Sequence, residues 1–212
     1  MRSVAWDAVW TLHSERKPMM TIFRKEISRT VAVLNALVAD GKLISTAEQA
    51  ASVCIAAVRR DNKILFAGNG GSAADAQHLA AELVGKLGYN RPAMSAISLT
   101  TDTSVLTAIG NDFGFDNVFA RQVDAHGRAG DVFFGISTSG QSKNLLAALL
   151  ACRERGIITI GMTGATGGEM LRLCDYCLCV PSDDTQKIQE AHIVVGHILC
   201  GLVEQGIFPG GN

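Results

Sequence analysis

Five short apolar runs, rich in Ile, Val and Phe, alternate with helical segments along most of this chain. Runs of this length and composition are typical of strands buried on both faces, and the alternation with helices is typical of a parallel sheet. We therefore expect an α/β fold in which helices cover both faces of one parallel sheet. The predicted strands are 63–68, 95–99, 131–137, 157–162 and 176–181, and the helices between and after them are 73–87, 104–109, 118–126, 142–155, 168–173 and 186–205.

Two further helical patterns precede the first strand. One runs from Ile22 to Ala39 and ends in Asp40-Gly41, and the other runs from Thr46 to Arg60. No repeat or proline-rich linker divides the chain, so we expect a single domain over residues 21–212. Residues 1–20, which contain Pro18, are interpreted as an N-terminal extension.

The composition excludes several classes of protein. Hydrophobic residues make up 48% of the chain and charged residues only 18%, which argues against disorder. The 19 basic and 20 acidic side chains provide no basic surface, so we expect no nucleic-acid partner and no attraction to a membrane. The absence of a long apolar run and the charges interrupting the N-terminus predict a cytoplasmic protein.

The first predicted strand leads directly into Gly68-Asn69-Gly70-Gly71-Ser72 and a helix. Glycines here let backbone N–H groups approach a ligand, and the helix N-terminus carries a partial positive charge. The spacing is that of neither a dinucleotide fingerprint nor a P-loop. A tight strand-to-helix turn also requires glycine, so a ligand role and a purely structural role both remain open.

The third predicted strand leads into Ser137-Thr138-Ser139-Gly140-Gln141-Ser142, again at the start of a helix. Four hydroxyls and several backbone amides at a positive helix end suit a phosphate dianion. A helix cap needs only one hydroxyl. The surplus favours a phosphate site.

Ionisable residues on two helices are further candidates for metal ligands or for acid and base catalysts. His78 and Glu82 are four residues apart on one helix face, where they can chelate a divalent ion, act as acid and base, or form an exposed pair. On the last helix, His192 and His197 lie about 140° apart, so they cannot share one small site. A buried core histidine is the default interpretation of His197.

The six cysteines are interpreted as structural. The cluster Cys174, Cys177 and Cys179 has no second Cys pair or nearby His to complete a zinc set. Cys177 and Cys179 lie in the run YCLCV, which alternates as a buried strand does. The remaining cysteines lie in apolar helical patterns, at Cys54, Cys152 and Cys200.

Four segments occur in the order GNGGSAADAQHLAAEL, TAIGNDFGFDNVFARQV, GISTSGQSKN and QKIQEAHIVVGHI. Together they resemble the phosphoheptose isomerases of the SIS (sugar isomerase) domain superfamily, from about Ile22 to the C-terminus. The resemblance implies a flavodoxin-like, three-layer α/β/α domain and a homotetramer with active sites between subunits. It also implies conversion of sedoheptulose 7-phosphate to D-glycero-D-manno-heptose 7-phosphate, the first step towards nucleotide-activated heptose for lipopolysaccharide core or capsule.

The resemblance assigns roles to individual residues. Glu82 and His197 match the acid and base pair, and Glu82 and Gln189 also match substrate-binding positions. The zinc ligands, for one ion per subunit, match His78, Glu82, Gln189 and His197. The phosphate-binding residues match Ser137, Thr138, Ser139 and Ser142, and the sugar-contacting residues match Asn69, Gly70, Gly71, Ser72, Asn111 and Asp112.

Two points limit this assignment. Gln189 and His197 are separated by about 12 Å of rise in one continuous helix, so shared ligation requires converging side chains, a helix that starts after Gln189, or different chains. We expect at least one site residue to come from a neighbouring subunit. Asn111 and Asp112 belong to an Asn-Asp-Phe-Gly segment that by itself predicts a turn.

Two other functions remain open. Some SIS-domain proteins are regulators that bind the bacterial replication initiator, but the joint presence of the four predicted zinc ligands favours an enzyme. Isomerases and ether-cleaving enzymes for other phosphosugars are the second alternative, and their extra domains or longer chains have no counterpart here.

Overall fold

The computed structural model describes residues 12–210, and their side chains from residue 19 onward. Within that part of the chain it contains eight α-helices, one short 3-10 helix (Phe115–Asn117) and five strands. The helices are α1 (Leu12–Ala39), α2 (Gly41–Val58), α3 (Gly71–Val84), α4 (Thr103–Phe113), α5 (Ala120–His126), α6 (Lys143–Glu154), α7 (Met170–Leu173) and α8 (Thr185–Ile207). The strands are β1 (Ile64–Gly68), β2 (Ala96–Ser98), β3 (Val132–Ile136), β4 (Ile158–Thr163) and β5 (Tyr176–Cys179).

The five strands form one parallel sheet in the order β2-β1-β3-β4-β5, and the predicted fold class is confirmed. Side chains alternate across the sheet, so Ile64 and Phe66 of β1 face one core cluster while Leu65 and Ala67 face the other. Helices α1, α2, α3 and α8 cover the first face, and α5, α6 and α7 cover the second. These are the three layers that the resemblance implied.

The N-terminal helices differ from the predicted boundaries. Helix α1 already includes residues 12–20, so the predicted domain boundary at residue 20 falls inside a helix, and residues 1–11 of the proposed extension lie outside the described part. Helix α1 ends at Ala39 as predicted, but Asp40 also begins the next helix. Its carboxylate accepts a hydrogen bond from the Leu43 amide at 3.0 Å, which caps α2 and starts that helix five residues before the predicted Thr46.

No single described helix is long and apolar enough to cross a membrane. The segments Met19–Ala39 and Gly41–Val58 meet that criterion only as a pair, across a bend of 77°.

Candidate functional site

The glycine-rich loop and the serine-rich loop meet at the point where the strand order of the sheet reverses. The chain goes from β1 outward to β2 and then returns to β3 on the other side of β1, and ligands of open α/β sheets bind at such points. The side chains of Asn69 and Asn144 join the two loops, each amide donating to the other's carbonyl oxygen at 2.9 Å. Asn144 was not among the predicted residues, because one asparagine in a helix's first turn has no distinctive pattern.

The hydroxyls of the serine-rich loop converge ahead of α6. Ser137 Oγ lies 3.0 Å from Ser142 Oγ and 3.4 Å from Ser139 Oγ. Ser142 is at the N-cap position of α6 but makes no side-chain cap bond, so capping does not explain its hydroxyl. Gly140 has φ +63°, and a Cβ there would lie 2.1 Å from the Gly167 carbonyl oxygen, so only glycine fits this turn. Thr138 is half-buried beside them.

The glycine-rich loop begins α3 and packs against α8. Gly70 is at the N-cap position of α3 with φ +56°, which favours glycine. A Cβ on Gly71 would lie 2.6 Å from Gln189 Nε2, so the missing side chain admits this amide. Ser72 is buried in the first turn of α3.

Two turns along α3 from Gly71, helices α3 and α8 bring three candidate ligand atoms together. His78 Nε2 lies 2.7 Å from His197 Nε2 and 3.1 Å from Glu82 Oε1. These three atoms all lie within 4.8 Å of one another, and within the described part of the chain they form the one group of three or more His, Cys, Asp or Glu with that geometry. Two imidazole nitrogens and a carboxylate oxygen are donors that suit zinc. His197 is therefore half-exposed in a polar cluster, not the buried core histidine that its apolar neighbours predicted.

Gln189 is separated from this cluster along the same helix. Helix α8 starts at Thr185, which excludes a helix beginning after Gln189. The rise from Gln189 to His197 along α8 is then about 12 Å. The Gln189 amide lies against Gly71, at the first residue of α3. The described chain thus places three of the four predicted zinc ligands together and the fourth at the glycine-rich loop.

Known proteins share both this fold and these motifs. The sequence model of the SIS domain matches residues 28–164. A phosphoheptose isomerase of Aneurinibacillus thermoaerophilus is 54% identical over 190 residues, which cover 90% of this chain and 96% of that protein. The chain belongs to the phosphoheptose isomerase family. The resemblance inferred from the four motifs is confirmed, as is the prediction of an isomerase.

Solved structures agree with this membership. The structure of a phosphoheptose isomerase from Neisseria gonorrhoeae has a TM-score of 0.83 and 42% identity, and the match covers 88% of this chain and 99% of that one. A second, from Francisella tularensis, has a TM-score of 0.80 and 34% identity over 90% and 98% of the two chains.

The buried histidine of this family member is His192. It is fully buried, and its Nε2 lies 3.1 Å from the Thr163 carbonyl oxygen, to which it can donate. Its Nδ1 has no partner among the described residues. Burial lowers the pKa of His192 to about 4, an effect that the bond to Thr163 partly opposes. His192 is a neutral core residue, and it does not share a site with His197, as the angle between them on α8 predicted.

This pKa predicts an acid-sensitive contribution to stability. The unfolded His192 takes up a proton below about pH 6.5, and the folded one only near pH 4. The contribution is therefore complete above pH 6.5 and is lost between pH 6.5 and 4, by about 3 kcal/mol in the free energy of unfolding. The His192→Gln variant keeps a hydrogen-bond donor and cannot titrate. We expect its free energy of unfolding, measured with urea, to fall less between pH 7 and pH 4 than that of the parent protein. His126→Gln, at an exposed position, is the control and should follow the parent; equal slopes for all three proteins would contradict the prediction.

Asn111 and Asp112 lie elsewhere than the predicted turn. Both belong to the last turn of α4, are exposed, and bond to each other from Asn111 Nδ2 to Asp112 Oδ1 at 2.7 Å. Within residues 19–210 neither forms a hydrogen bond to the two loops or to the histidine cluster. The helix continues through them because Gly114, with φ +83°, provides the break one residue after Phe113.

Asp75 is a residue that sequence reasoning missed. It lies on α3 between Gly71 and His78, and its buried Oδ2 has no hydrogen-bond partner among the described residues. Burial raises the pKa of this carboxyl group, and the nearby His78 partly offsets the effect. A buried carboxylate oxygen without a donor is costly, so an additional hydrogen-bond donor beside Asp75 would be stabilising.

The cysteines lie outside this site. Cys54, Cys152 and Cys200 are buried as predicted. Cys177 and Cys179 are half-exposed rather than buried, because β5 is an edge strand. Their Sγ atoms are 3.9 Å apart.

Proposed function

We propose that the chain converts D-sedoheptulose 7-phosphate to D-glycero-D-manno-heptose 7-phosphate in the cytoplasm, as the first step towards nucleotide-activated heptose for lipopolysaccharide core or capsule. This proposal rests on the distance between the two parts of the site. The polar cluster lies about 10 Å along α3 from the loops at the switch point, counted from Gly71 to His78. A substrate with its phosphate at one end and its reacting carbons at the other suits two subsites separated in this way.

The serine-rich loop provides the phosphate subsite. The hydroxyls of Ser137, Ser139 and Ser142 and the amides at the start of α6 can donate to phosphate oxygens, with Thr138 as the fourth hydroxyl. The linked Asn69 side chain and the amides of Gly70 and Gly71 then face the carbon chain, together with Gln189. Asn111 and Asp112 remain proposed sugar contacts, and their exposure in one chain is consistent with a role completed by another subunit.

Glu82 and His197 are the proposed proton carriers. The interconversion removes a proton from one of two adjacent carbons and returns it to the other through an enediolate. The Glu82 carboxylate can move that carbon-bound proton, and the His197 imidazole can exchange protons with the substrate oxygens or assist ring opening. Glu82 is only partly exposed, which limits competition from water.

His78, Glu82 and His197 also fit a zinc ion. Their donor set is that of catalytic zinc sites, which use three protein ligands and leave a position open. When bound, zinc polarises a carbonyl as a Lewis acid. Glu82 cannot be a tight ligand and a free base at once, so we propose that it binds weakly or exchanges between the two roles. Gln189 would join this set only from a neighbouring chain.

We further propose a homotetramer whose active sites lie between subunits. An open groove of about 390 Å³ between α1, α2 and α8 is lined almost entirely by apolar side chains, among them Val38, Ile44 and Ile198. Val38 is 78% exposed and Ile198 56% exposed, next to His197. We propose that a second copy of the chain covers this face and completes the site beside His197.

Turnover with and without a chelator tests the proposed reaction. We expect the purified protein to convert sedoheptulose 7-phosphate to an aldose, and we expect a zinc chelator to slow it and added zinc to restore it. Fructose 6-phosphate serves as the matched ketose phosphate, with one carbon fewer, and should be converted poorly. An intact, zinc-loaded protein that produces no aldose would refute the assignment.

A further inference from the structure

Helices α3 and α8 lie side by side and run parallel. Along both helices, Gly71 lies against Gln189, His78 against His197 and Leu79 against Gly196. These pairs are 118, 119 and 117 positions apart, so the offset between the two helices is nearly constant. All three candidate ligand atoms come from these two helices. Their separation therefore depends on the axial register of α3 against α8.

One contact that sets this register lies beside the cluster. A Cβ on Gly196 would lie 2.7 Å from both Leu79 Cδ atoms, so this glycine lets the two helices pack closely. The apolar attraction itself is not directional, so a directional polar contact between the two helices would hold the register more firmly.

The second contact is a buried ion pair at the far end of α3. Arg91 Nε donates to Glu204 Oε1 at 3.0 Å, and both side chains are only 2% exposed. The Glu204 carboxylate also accepts from the Leu87 and Gly88 amides, at 3.1 and 2.8 Å. Glu204 is seven residues after His197, two turns along the same face of α8.

The same guanidinium holds the end of α3, including the main chain of Glu82. Arg91 Nη2 donates to the Glu82 carbonyl oxygen at 2.8 Å, and Nη1 donates to those of Leu83 and Gly85 at 2.7 and 3.1 Å. The last carbonyls of a helix have no partner within the helix, so Arg91 satisfies them and carries a positive charge to the negative end of α3. Lysine has neither the planar fork nor enough donors to replace it.

We propose that Arg91 and Glu204 are positioning residues that hold the Glu82 and His78 side chains in register with His197. Within residues 19–210, neither side chain forms a hydrogen bond to the proposed phosphate and sugar loops or to the three candidate ligand atoms. They act by joining the backbone of the proposed catalytic carboxylate to the helix that carries the histidine.

Arg91→Lys tests this with two readouts. The kinetic readout rests on the proposed function: kcat should fall about 10-fold to 100-fold while KM stays nearly unchanged, because the phosphate subsite is on β3 and α6. The second readout is titration of the metal-free protein with Co²⁺, followed by visible absorption, and it needs no turnover. The apparent Co²⁺ affinity should fall over a similar range. If the wild type binds Co²⁺ but does not turn over substrate, the proposed function fails and the Co²⁺ titration still decides the positioning role.

Asp131→Asn is the matched control, because it breaks another buried ion pair. Asp131 Oδ2 lies 2.6 Å from Lys63 Nζ, and the Asp131 side chain is 1% exposed. This pair precedes β1 and β3, at the end of the sheet opposite to the glycine-rich and serine-rich loops. We expect this variant to unfold at a lower temperature, with kcat and Co²⁺ affinity unchanged in the folded protein. If Arg91→Lys does not fold, both readouts are repeated with Glu204→Gln. The double variant should lose less kcat and Co²⁺ affinity than the two single variants combined, because both act on the same contact. Normal kcat and Co²⁺ affinity in Arg91→Lys, or an equal fall in Asp131→Asn, would overturn the proposal.

Discussion

Glu82→Gln should lower kcat by about 10² to 10⁴ and leave the fold and the assembly unchanged. Glutamine has nearly the same size and keeps an oxygen that can accept from His78, so the packing of α3 is preserved. It cannot take up the proton that leaves the substrate carbon. The loss should therefore be in kcat and in the rate at which deuterium from D₂O enters the recovered sugar phosphate.

Binding and fold are measured separately in this experiment. Phosphate or the substrate itself should still protect the serine-rich loop of Glu82→Gln from hydrogen exchange, because that loop lies on β3 and α6. Glu154→Gln, at the exposed end of α6, is the matched control and should have a normal rate. A near-normal rate in Glu82→Gln would remove Glu82 from the mechanism.

Ile198→Glu should break the assembly and abolish most of the activity together with it. The side chain is 56% exposed in one chain and lines the apolar groove of α1, α2 and α8. A carboxylate buried there by a second copy would have no partner, at a cost of several kcal/mol in each copy of the interface. Light scattering coupled to size-exclusion chromatography should show smaller species, and turnover should fall in proportion.

Leu150→Glu provides the control for this surface. Leu150 is 48% exposed on α6, on the other face of the sheet, so the same change of charge and size should leave mass and activity intact. A tetrameric, active Ile198→Glu protein would show that the groove is not the interface. A dissociated but fully active one would show that each chain contains a complete site.

The sheet and its order of helices could be predicted because their pattern is local. Every predicted strand overlaps an observed one, since an apolar run bounded by turn residues depends only on neighbours along the chain. The two loops were recognisable for the same reason, because a strand, a glycine or serine turn and a helix start are adjacent in sequence. Helix boundaries were less predictable, as the Asp40 cap shows, because one side-chain bond decides where a helix starts.

The site itself depended on contacts between distant segments. The sequence determined that His78 and Glu82 share a helix face, and the family motifs named His197, but only the packing of α3 on α8 brought the three ligand atoms together. That packing also buried His192 and left His197 at the cluster, whereas the apolar neighbours of His197 alone had predicted a core position for it. The Asn69–Asn144 pair and the Arg91–Glu204 pair join residues 75 and 113 positions apart. Periodicity reports which face of a helix is apolar, whereas the partner of each polar side chain is decided by tertiary packing.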